Sequence, residues 1–379
     1  MTSERILTNA QIVLDDDVVR GTVVARDGVI AAIEPGAKPI AGGEDFGGDY
    51  LLPGLVELHT DNVEKHLMPR PGVAWPSLPA ILAHDAQIIA AGITTVLDAL
   101  SVGAALHNKG RNDMLPEAVD AIGKACGAGL MRADHFLHLR CELSDDGVME
   151  AFETYRAAPR VRLVSLMDHT PGQRQFVSLE RFKVYYRGKY GLSEAEVDRM
   201  IEQYIGRAET VAAYRRTIAE DCRARGIVLA SHDDATEDHI EEAVSLELEI
   251  AEFPTTVEAA EAAHRRGLTT VMGAPNVVRG GSHSGNVSAL DLAERGLLDA
   301  LSSDYMPISL LHAAFLLHKR HGATLPGAVA KVSTNPARMV GLDDRGAIAL
   351  GQRADLIRVA VEHDIPVIRR VWRGGLPVV

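Results

Sequence analysis

Eight short apolar runs alternate with helical patterns through residues 54–302 of this chain. A continuous apolar run bounded by turn residues is typical of a strand that is buried on both faces. The runs are Gly54–Leu58, Thr94–Leu97, His135–Leu139, Val161–Met167, Ile227–Ala230, Leu248–Ala251, Thr269–Met272 and Ala300–Ser302. Helical segments such as Pro116–Ala128 and Thr255–Arg266 separate them. The pattern predicts an α/β fold, and most directly a TIM-type (β/α)₈ barrel.

The two ends of the chain have an all-β pattern instead. Short strands and turns fill the first 50 residues, and Asp27-Gly28 between two of them is typical of a type I′ hairpin. Neither end is long enough to bury a sheet alone, so we expect 1–52 and 345–379 to form one composite β-sandwich domain. The barrel would then span 53–344, with a helical insertion near 175–225 lying over its mouth.

Composition and charge exclude several classes of function. The net charge of −13 argues against general nucleic-acid binding, which needs a basic surface. No stretch approaches the ~20 apolar residues of a membrane span, and the first residues lack the layout of a signal peptide. We therefore expect a cytoplasmic protein without a membrane partner. The three widely spaced cysteines indicate neither a disulfide framework nor a thiolate zinc site.

Residue types that bind metals recur where the predicted strands end. Reactive groups of such a barrel lie at the carboxyl ends of its strands. The first run ends in His59 and Asp61, and a strand projects residues i and i+2 to the same side. Later runs end in further histidines and acids. A single histidine at a strand end is usually structural, so the recurrence is what predicts a metal hydrolase centre.

The predicted centre holds one or two divalent ions. The expected ligands are His59, Asp61, Glu142, His169, His232 and Asp304. In a two-ion site the glutamate of this set would bridge the metals. Asp304 would also act as the general base, with a helix cap as the alternative role. Asp233 and Asp234 are expected to orient His232. Ligands without sulfur leave Zn, Mn, Fe, Co, Ni and Mg open.

Several motifs carry a family resemblance. Pro53–His59 resembles the first-strand motif of the amidohydrolase superfamily, and Gly346–Leu356 resembles its closing β-sandwich. A second set resembles, within that superfamily, the phosphonate-metabolism diphosphatases of the carbon–phosphorus lyase pathway. That set comprises His59–Asn62, Pro69–Pro71, His84–Ala86, His138–Leu143, Leu166–Phe176, Ala230–Thr236, Ala251–Thr256 and Met272–Asn286. The resemblance covers essentially the whole chain. It implies hydrolysis of the α–β phosphoanhydride of a ribose 5-triphosphate to the 5-phosphate and pyrophosphate.

The chain departs from the superfamily pattern at three places. Where the superfamily usually has His-x-His, this chain has His59-x-Asp61. The usual bridging carbamylated lysine is also absent, which leaves Glu142 on the third strand as the candidate bridge. At the end of the sixth strand, where the superfamily usually has a histidine, this chain has Glu252. These differences leave the number of metals open, including a single ion held by Glu142, His169 and His232. They also make the site richer in oxygen, which favours Mn²⁺ or Mg²⁺.

The implied substrate is a small anion, so cations should surround it. The candidate substrate-binding residues are Arg174, Lys189, Arg279, Ser282 and His283. Arg70 and Arg140 are further bases outside this set. Gly280–Gly285 offers backbone N–H groups and hydroxyls that suit a phosphate, although such a sequence also suits an ordinary surface loop.

Two other functions stay open on the sequence alone. One is an amide or cyclic-amide hydrolase on the same scaffold, because fold does not fix reaction. The other is a non-catalytic protein that binds phosphonate nucleotides. The basic residues argue against the first, and the run of strand-end ligands argues against the second. The sequence also leaves open whether the chain forms a homo-oligomer.

Overall fold

The computed structural model describes residues 4–36, 39–103, 109–172, 174, 179–282 and 285–379. Strands are β1 (Glu4–Val13), β2 (Val18–Arg26), β3 (Val29–Pro35), β4 (Glu44–Asp45), β5 (Tyr50–Pro53), β6 (Leu55–Thr60), β7 (Ile93–Val102), β8 (Asp134–Glu142), β9 (Val161–Met167), β10 (Val228–His232), β11 (Ile250–Glu252), β12 (Thr269–Gly273), β13 (Ala300–Ser302), β14 (Leu356–Glu362), β15 (Ile365–Arg373) and β16 (Leu376–Pro377).

Helices connect or cover these strands. They are α1 (Asn62–Leu67), α2 (Ser77–Ala90), α3 (Lys109–Gly127), α4 (Val148–Tyr155), α5 (Leu179–Tyr190), α6 (Glu194–Ile205), α7 (Ala208–Arg225), α8 (Glu237–Ser245), α9 (Val257–Arg265), α10 (Ala274–Arg279), α11 (Ala289–Glu294), α12 (Ser309–His321), α13 (Leu325–Ala330) and α14 (Thr334–Met339). In the described part of the chain, no helix has the length and apolar character needed to cross a membrane.

Strands β6 to β13 form one parallel sheet in chain order. The sheet curves until its two outer strands meet, where Thr60 forms a parallel bridge with Asp304. The Ser302 hydroxyl also donates to the carbonyl oxygen of His59 at 2.7 Å. Each described strand of this sheet is followed by at least one helix. The predicted (β/α)₈ barrel is therefore confirmed.

Alternation along the barrel strands separates the interior from the face under the helices. On β8, Phe136 packs with the interior cluster, whereas Leu137 and Leu139 pack under the helices. The interior cluster includes Val56, Leu58, Leu97, Leu163, Ala230, Ile250, Val271 and Ala300. On the Phe136 face of β8 the next side chains are polar, namely His138, Arg140 and Glu142, one, two and three layers further along. The apolar floor of the barrel thus gives way to a polar layer at the carboxyl ends.

Both ends of the chain contribute to a second, mainly antiparallel sheet. Its order is β16-β15-β14-β5-β1-β2-β3, with β4 beside β1. Strand β14 pairs with β5, so the C-terminal strands join the N-terminal ones. The rings of Phe46 and Trp372 stack with centroids 6.0 Å apart in its core. The predicted hairpin at Asp27-Gly28 is confirmed, because both residues have positive φ (50° and 87°), as a type I′ turn requires.

The range predicted as a helical insertion contains two different structures. Helices α5 and α6 pack on each other around a small core of their own, which includes Phe182, Val197 and Met200. Helix α7 instead lies against the barrel, because Ile218 and Cys222 belong to the cluster under the outer helices. The inserted part is therefore the α5–α6 hairpin. The extent of the two predicted domains remains a proposal.

A buried polar network lies between α2 and the outer face of β7 and β8. Asp98 accepts hydrogen bonds from His84 Nε2 and His135 Nδ1, both at 2.7 Å. The other nitrogen of His135 lies 3.3 Å from Asp85 Oδ1. Burial alone would lower the pKa of His135, but the two aspartates raise it to about 9. Burial lowers the pKa of His84, so His135 carries the positive charge.

This network predicts a pH dependence of stability. Folding raises the pKa of His135 above its ordinary value of 6.5, to about 9. The contribution of protonated His135 to the unfolding free energy is therefore fully present below pH ~6.5 and is lost as the pH rises through 9. We expect His135→Gln to be less stable than the wild type at pH 6.5. The difference in unfolding free energy between the two proteins should shrink by up to roughly 3 kcal/mol as the pH rises from 6.5 to 9. Urea unfolding at pH 6.5 and 9.5 measures this, with His318→Gln as control. Parallel pH profiles of wild type and His135→Gln would contradict it.

Candidate metal centre

A cavity of about 260 Å³ opens at the carboxyl ends of the barrel strands. Its wall includes the side chains that the sequence placed at several strand ends. The polar and charged lining residues include His59, Arg140, His169, His232, Asp233, Arg279, Ser282 and Asp304. Strand ends that are far apart in the sequence therefore converge on one space, as the barrel requires.

Glu252, at the end of β11, joins two of the imidazoles. Its Oε1 lies 2.6 Å from His59 Nδ1, and its Oε2 lies 2.8 Å from His232 Nδ1. Burial would raise the pKa of this carboxyl, but the neighbouring histidines hold it well below its usual range. The ionised carboxylate can only accept, so Nδ1 of each ring carries a proton. Nε2 is then the nitrogen with a free lone pair on each ring.

A second group of side chains whose ligand atoms lie close together comprises His169, His232 and Asp233. Asp233 Oδ2 lies 3.6 Å from His232 Nε2 and 3.8 Å from His169 Nε2. The other nitrogen of His169, Nδ1, is hydrogen-bonded to Glu142. Burial would lower the pKa of His169, but Glu142 and Asp233 raise it to about 10. A field that stabilises a proton here would also stabilise a metal cation.

Three groups of described residues have ligand atoms close enough to share an ion. They are His59–His232–Glu252, His169–His232–Asp233 and His84–Asp98–His135. In the first and third groups, hydrogen bonds of 2.6–2.8 Å already occupy the facing atoms. The second group leaves two Nε2 atoms and a carboxylate oxygen turned toward one point. Two nitrogens and an oxygen fit a divalent transition metal.

Asp304 lies where β13 meets β6. Its backbone N–H donates to the His59 carbonyl at 3.1 Å, and the Thr60 hydroxyl donates to its carbonyl at 2.8 Å. These main-chain bonds leave its carboxyl free to line the cavity. Burial raises the pKa of that carboxyl; His59 and Arg140 lower it, and Asp61 raises it further.

The backbone is strained where three strands enter the cavity. Asp233, Phe253 and Asp304 follow β10, β11 and β13 with φ values of 58°, 54° and 52°. Left-handed backbone costs a non-glycine residue on the order of 1–3 kcal/mol, and such residues cluster at functional sites. All three line the cavity. The Phe253 ring also packs edge-on against His59 and His232, with centroids 5.0 Å and 5.4 Å apart.

Known proteins resemble this chain over its whole length. A model described as "Amidohydrolase family" matches residues 192–379. The chain is 47% identical over 373 residues to the alpha-D-ribose 1-methylphosphonate 5-triphosphate diphosphatase of Escherichia coli (strain K12), covering 98% of this chain and 99% of that one. The chain belongs to this diphosphatase family. Its membership of the amidohydrolase superfamily, expected from the sequence motifs, is thereby confirmed.

Solved structures share the fold at much lower identity. The N-acetylglucosamine-6-phosphate deacetylase of Pasteurella multocida superposes with a TM-score of 0.65 at 13% identity, over 99% of both chains. The 5-methylcytosine deaminase of Klebsiella pneumoniae superposes with a TM-score of 0.67 at 13% identity, over 100% of this chain and 97% of that one. At this identity the likeness concerns the fold alone.

In this family member, the structure brings four of the six predicted ligands to the cavity wall: His59, His169, His232 and Asp304. Glu142 lies behind His169 and contacts its Nδ1 atom. Asp61 does not line the cavity but is close enough to Asp304 to raise the pKa of that carboxyl. The predicted bridging position of Glu142 is therefore not evident in its contacts.

Two acids, Asp233 and Glu252, contact the histidines of the cavity in ways that the sequence did not predict. Asp233 was expected to orient His232, yet it faces Nε2 of both His232 and His169, and Glu252 holds the Nδ1 side. In the sheet, His232 and Glu252 are direct neighbours on β10 and β11. The position of Asp233 directly after a strand-end histidine was the available indication.

The predicted substrate-binding residues lie in different places. Arg279 and Ser282 line the cavity. Arg174 does not, because its side chain is only 4% exposed and its guanidinium pairs with Asp234 and, at 2.7 Å, with Glu242. A substrate contact from Arg174 would have to break both ion pairs. Lys189 is on α5, but its side chain is outside the described set, as is His283 altogether.

Proposed function

We propose that this chain hydrolyses the α–β phosphoanhydride of α-D-ribose 1-methylphosphonate 5-triphosphate in phosphonate catabolism. The products are the 5-phosphate and pyrophosphate. The observation that carries this proposal is the 47% identity over nearly the full length of both chains to the Escherichia coli diphosphatase. A cavity that combines metal-binding side chains with arginines supports it, because a triphosphate needs both.

The proposed cofactor is one or two divalent ions. His169, His232 and Asp233 would hold the first, and the sequence-derived set that includes His59, Asp61, Glu142 and Asp304 remains our proposal for the full centre. When bound, such an ion lowers the pKa of water and polarises phosphoryl oxygens. Glu142 would orient His169 through its contact with Nδ1.

The side chains of the protein carry out the other steps of the reaction. A water oxygen bonds to the α-phosphorus, the bridging P–O bond breaks, and pyrophosphate leaves with its electron pair. Asp304 accepts the proton of the water, because its carboxyl faces the cavity while its main chain fixes its position. Arg279 and Ser282 bind phosphoryl oxygens. Glu252 holds the imidazoles of His59 and His232 in one tautomer.

A product assay tests the proposal. The metal-supplemented protein should convert the ribose triphosphate to equimolar pyrophosphate and 5-phosphate, detected by ³¹P NMR. N-acetylglucosamine 6-phosphate serves as the amide substrate in a parallel reaction. Turnover of the amide alone would replace the proposal with an amide hydrolase. Turnover of neither, with no bound metal in the purified protein, would favour a non-catalytic binding protein.

His232 offers a test of the metal site itself. Its Nε2 faces both Asp233 and the cavity, so we expect His232→Ala to reduce bound metal to less than half of the wild-type content. Elemental analysis of the purified variant measures this. His318→Ala is the control, because His318 on α12 does not line the cavity. Unchanged occupancy in His232→Ala would remove this residue from the ligands.

A further inference from the structure

We infer that Arg140 binds the α-phosphoryl group under attack, whereas Arg279 binds the pyrophosphate part of the substrate. This inference rests on the proposed function and deepens it. It assigns a direct role in the reaction to Arg140, which lies outside the substrate-binding set predicted from the sequence, and it gives Arg140 and Arg279 different roles.

Arg140 is directed into the barrel by the pleat of β8. Phe136 on this strand packs in the interior cluster, and Leu137 and Leu139 pack outside it. A period of two places Arg140 on the interior side, two residues before Glu142. Its side chain reaches the cavity, where Asp304 also lies. Among the cavity arginines, Arg140 is the one carried by a barrel strand, and therefore the one held at the floor.

The Arg140 guanidinium lacks a protein partner among the residues that the structure describes. Its Nε is buried and makes no hydrogen bond within that part of the chain. Other buried arginines differ: Arg174 pairs with Asp234, and Arg215 pairs with Asp168 at 2.9 Å. Leaving a buried charged donor unpaired is costly. In a chain of net charge −13, a guanidinium that makes no ion pair with a described carboxylate, although Asp304 lies near enough to feel its charge, indicates that an anion binds there.

Arg279 occupies a different depth. It ends α10 and is exposed at the cavity rim, directly before Gly280, Gly281 and Ser282. It also makes no ion pair with any described residue. A rim arginine meets the outer phosphoryl groups of an entering triphosphate. The floor arginine, beside Asp304, meets the phosphorus at which the bond breaks. Arginine suits both positions because it stays charged and binds phosphate with two N–H groups.

These positions predict different kinetic effects. Negative charge grows at the attacked group in the transition state, so Arg140→Gln should lower kcat by about 10²–10³-fold with little change in KM. Arg279→Gln should instead raise KM by roughly 10-fold or more and change kcat only a few-fold. Arg140→Lys, which keeps the charge but not the two-pronged contact, should lie between wild type and Arg140→Gln. Arg295→Gln, on the outer surface, is the control.

Pyrophosphate binding gives a readout that does not depend on turnover. Titration calorimetry of the metal-loaded protein with pyrophosphate should show about 10-fold weaker binding for Arg279→Gln and wild-type binding for Arg140→Gln. If Arg140→Gln keeps the wild-type kcat, or if it only raises KM, the inference is overturned while the diphosphatase activity of the wild type stands. If the wild type itself releases no pyrophosphate from the triphosphate, the proposed function fails first. If Arg140→Gln unfolds, Arg140→Lys decides by the same criteria.

Discussion

Asp304→Asn is expected to lower kcat by about 10²–10⁴-fold while the protein keeps its fold. An amide in place of the carboxyl can no longer accept the proton of the attacking water. The fold is retained because Asp304 contacts its neighbours through its main chain, at the His59 carbonyl and the Thr60 hydroxyl. Asparagine also tolerates the left-handed φ of 52° at this position better than most residues do.

The measurement is kcat with saturating substrate and metal, together with metal content and thermal unfolding of each variant. Asp291→Asn, on the exposed side of α11, is the matched control for the same chemical change. A metal-replete Asp304→Asn that turns over at the wild-type rate would show that another group takes the proton. The helix-cap alternative for Asp304 is wrong, because the following helix, α12, begins at Ser309 with Ile308 as its N-cap and has no side-chain cap.

The barrel could be predicted from the sequence because its determinants are local. A strand buried on both faces has to be apolar throughout, so a run such as Val161–Met167 is visible without any knowledge of its neighbours, and it coincides with β9. The hairpin at Asp27-Gly28 is local in the same sense, because its two residue types permit the positive φ values that the turn needs.

Roles that depend on partners distant in the sequence could not be predicted. Arg174 was expected to bind substrate because it is basic and the implied substrate is an anion. Its partners Asp234 and Glu242 are 60 and 68 residues further along the chain, so only the fold shows that its charge is already balanced. Arg140 is the converse case, because a single sequence does not reveal that no described carboxylate pairs with it.

Glu252 shows most clearly why some roles could not be predicted from the sequence. The sequence identified it as an acid where a histidine is usual, but left open whether it binds metal. The answer depends on register: His232 and Glu252 lie side by side on β10 and β11, and β6 brings His59 to the same carboxylate. Register between parallel strands is set by the whole barrel.

The same geometry gives the second large prediction. Glu252→Gln should weaken metal binding by about 10–100-fold and destabilise the protein by roughly 3–5 kcal/mol. The glutamate accepts from Nδ1 of His59 with one oxygen and from Nδ1 of His232 with the other. A glutamine can accept from only one ring and presents its NH₂ group to the other. That ring must move its proton to Nε2, which removes the lone pair that faces the cavity.

Competition with a chelator measures the metal affinity, and urea unfolding with and without metal measures the stability. Glu249→Gln is the matched control, because it makes the same change one residue before β11, on the exposed side. Glu252→Asp keeps the charge but has a shorter reach, so it should satisfy one imidazole and lose part of the metal affinity. If Glu252→Gln binds metal as tightly as wild type, Glu252 does not fix the tautomers of these histidines.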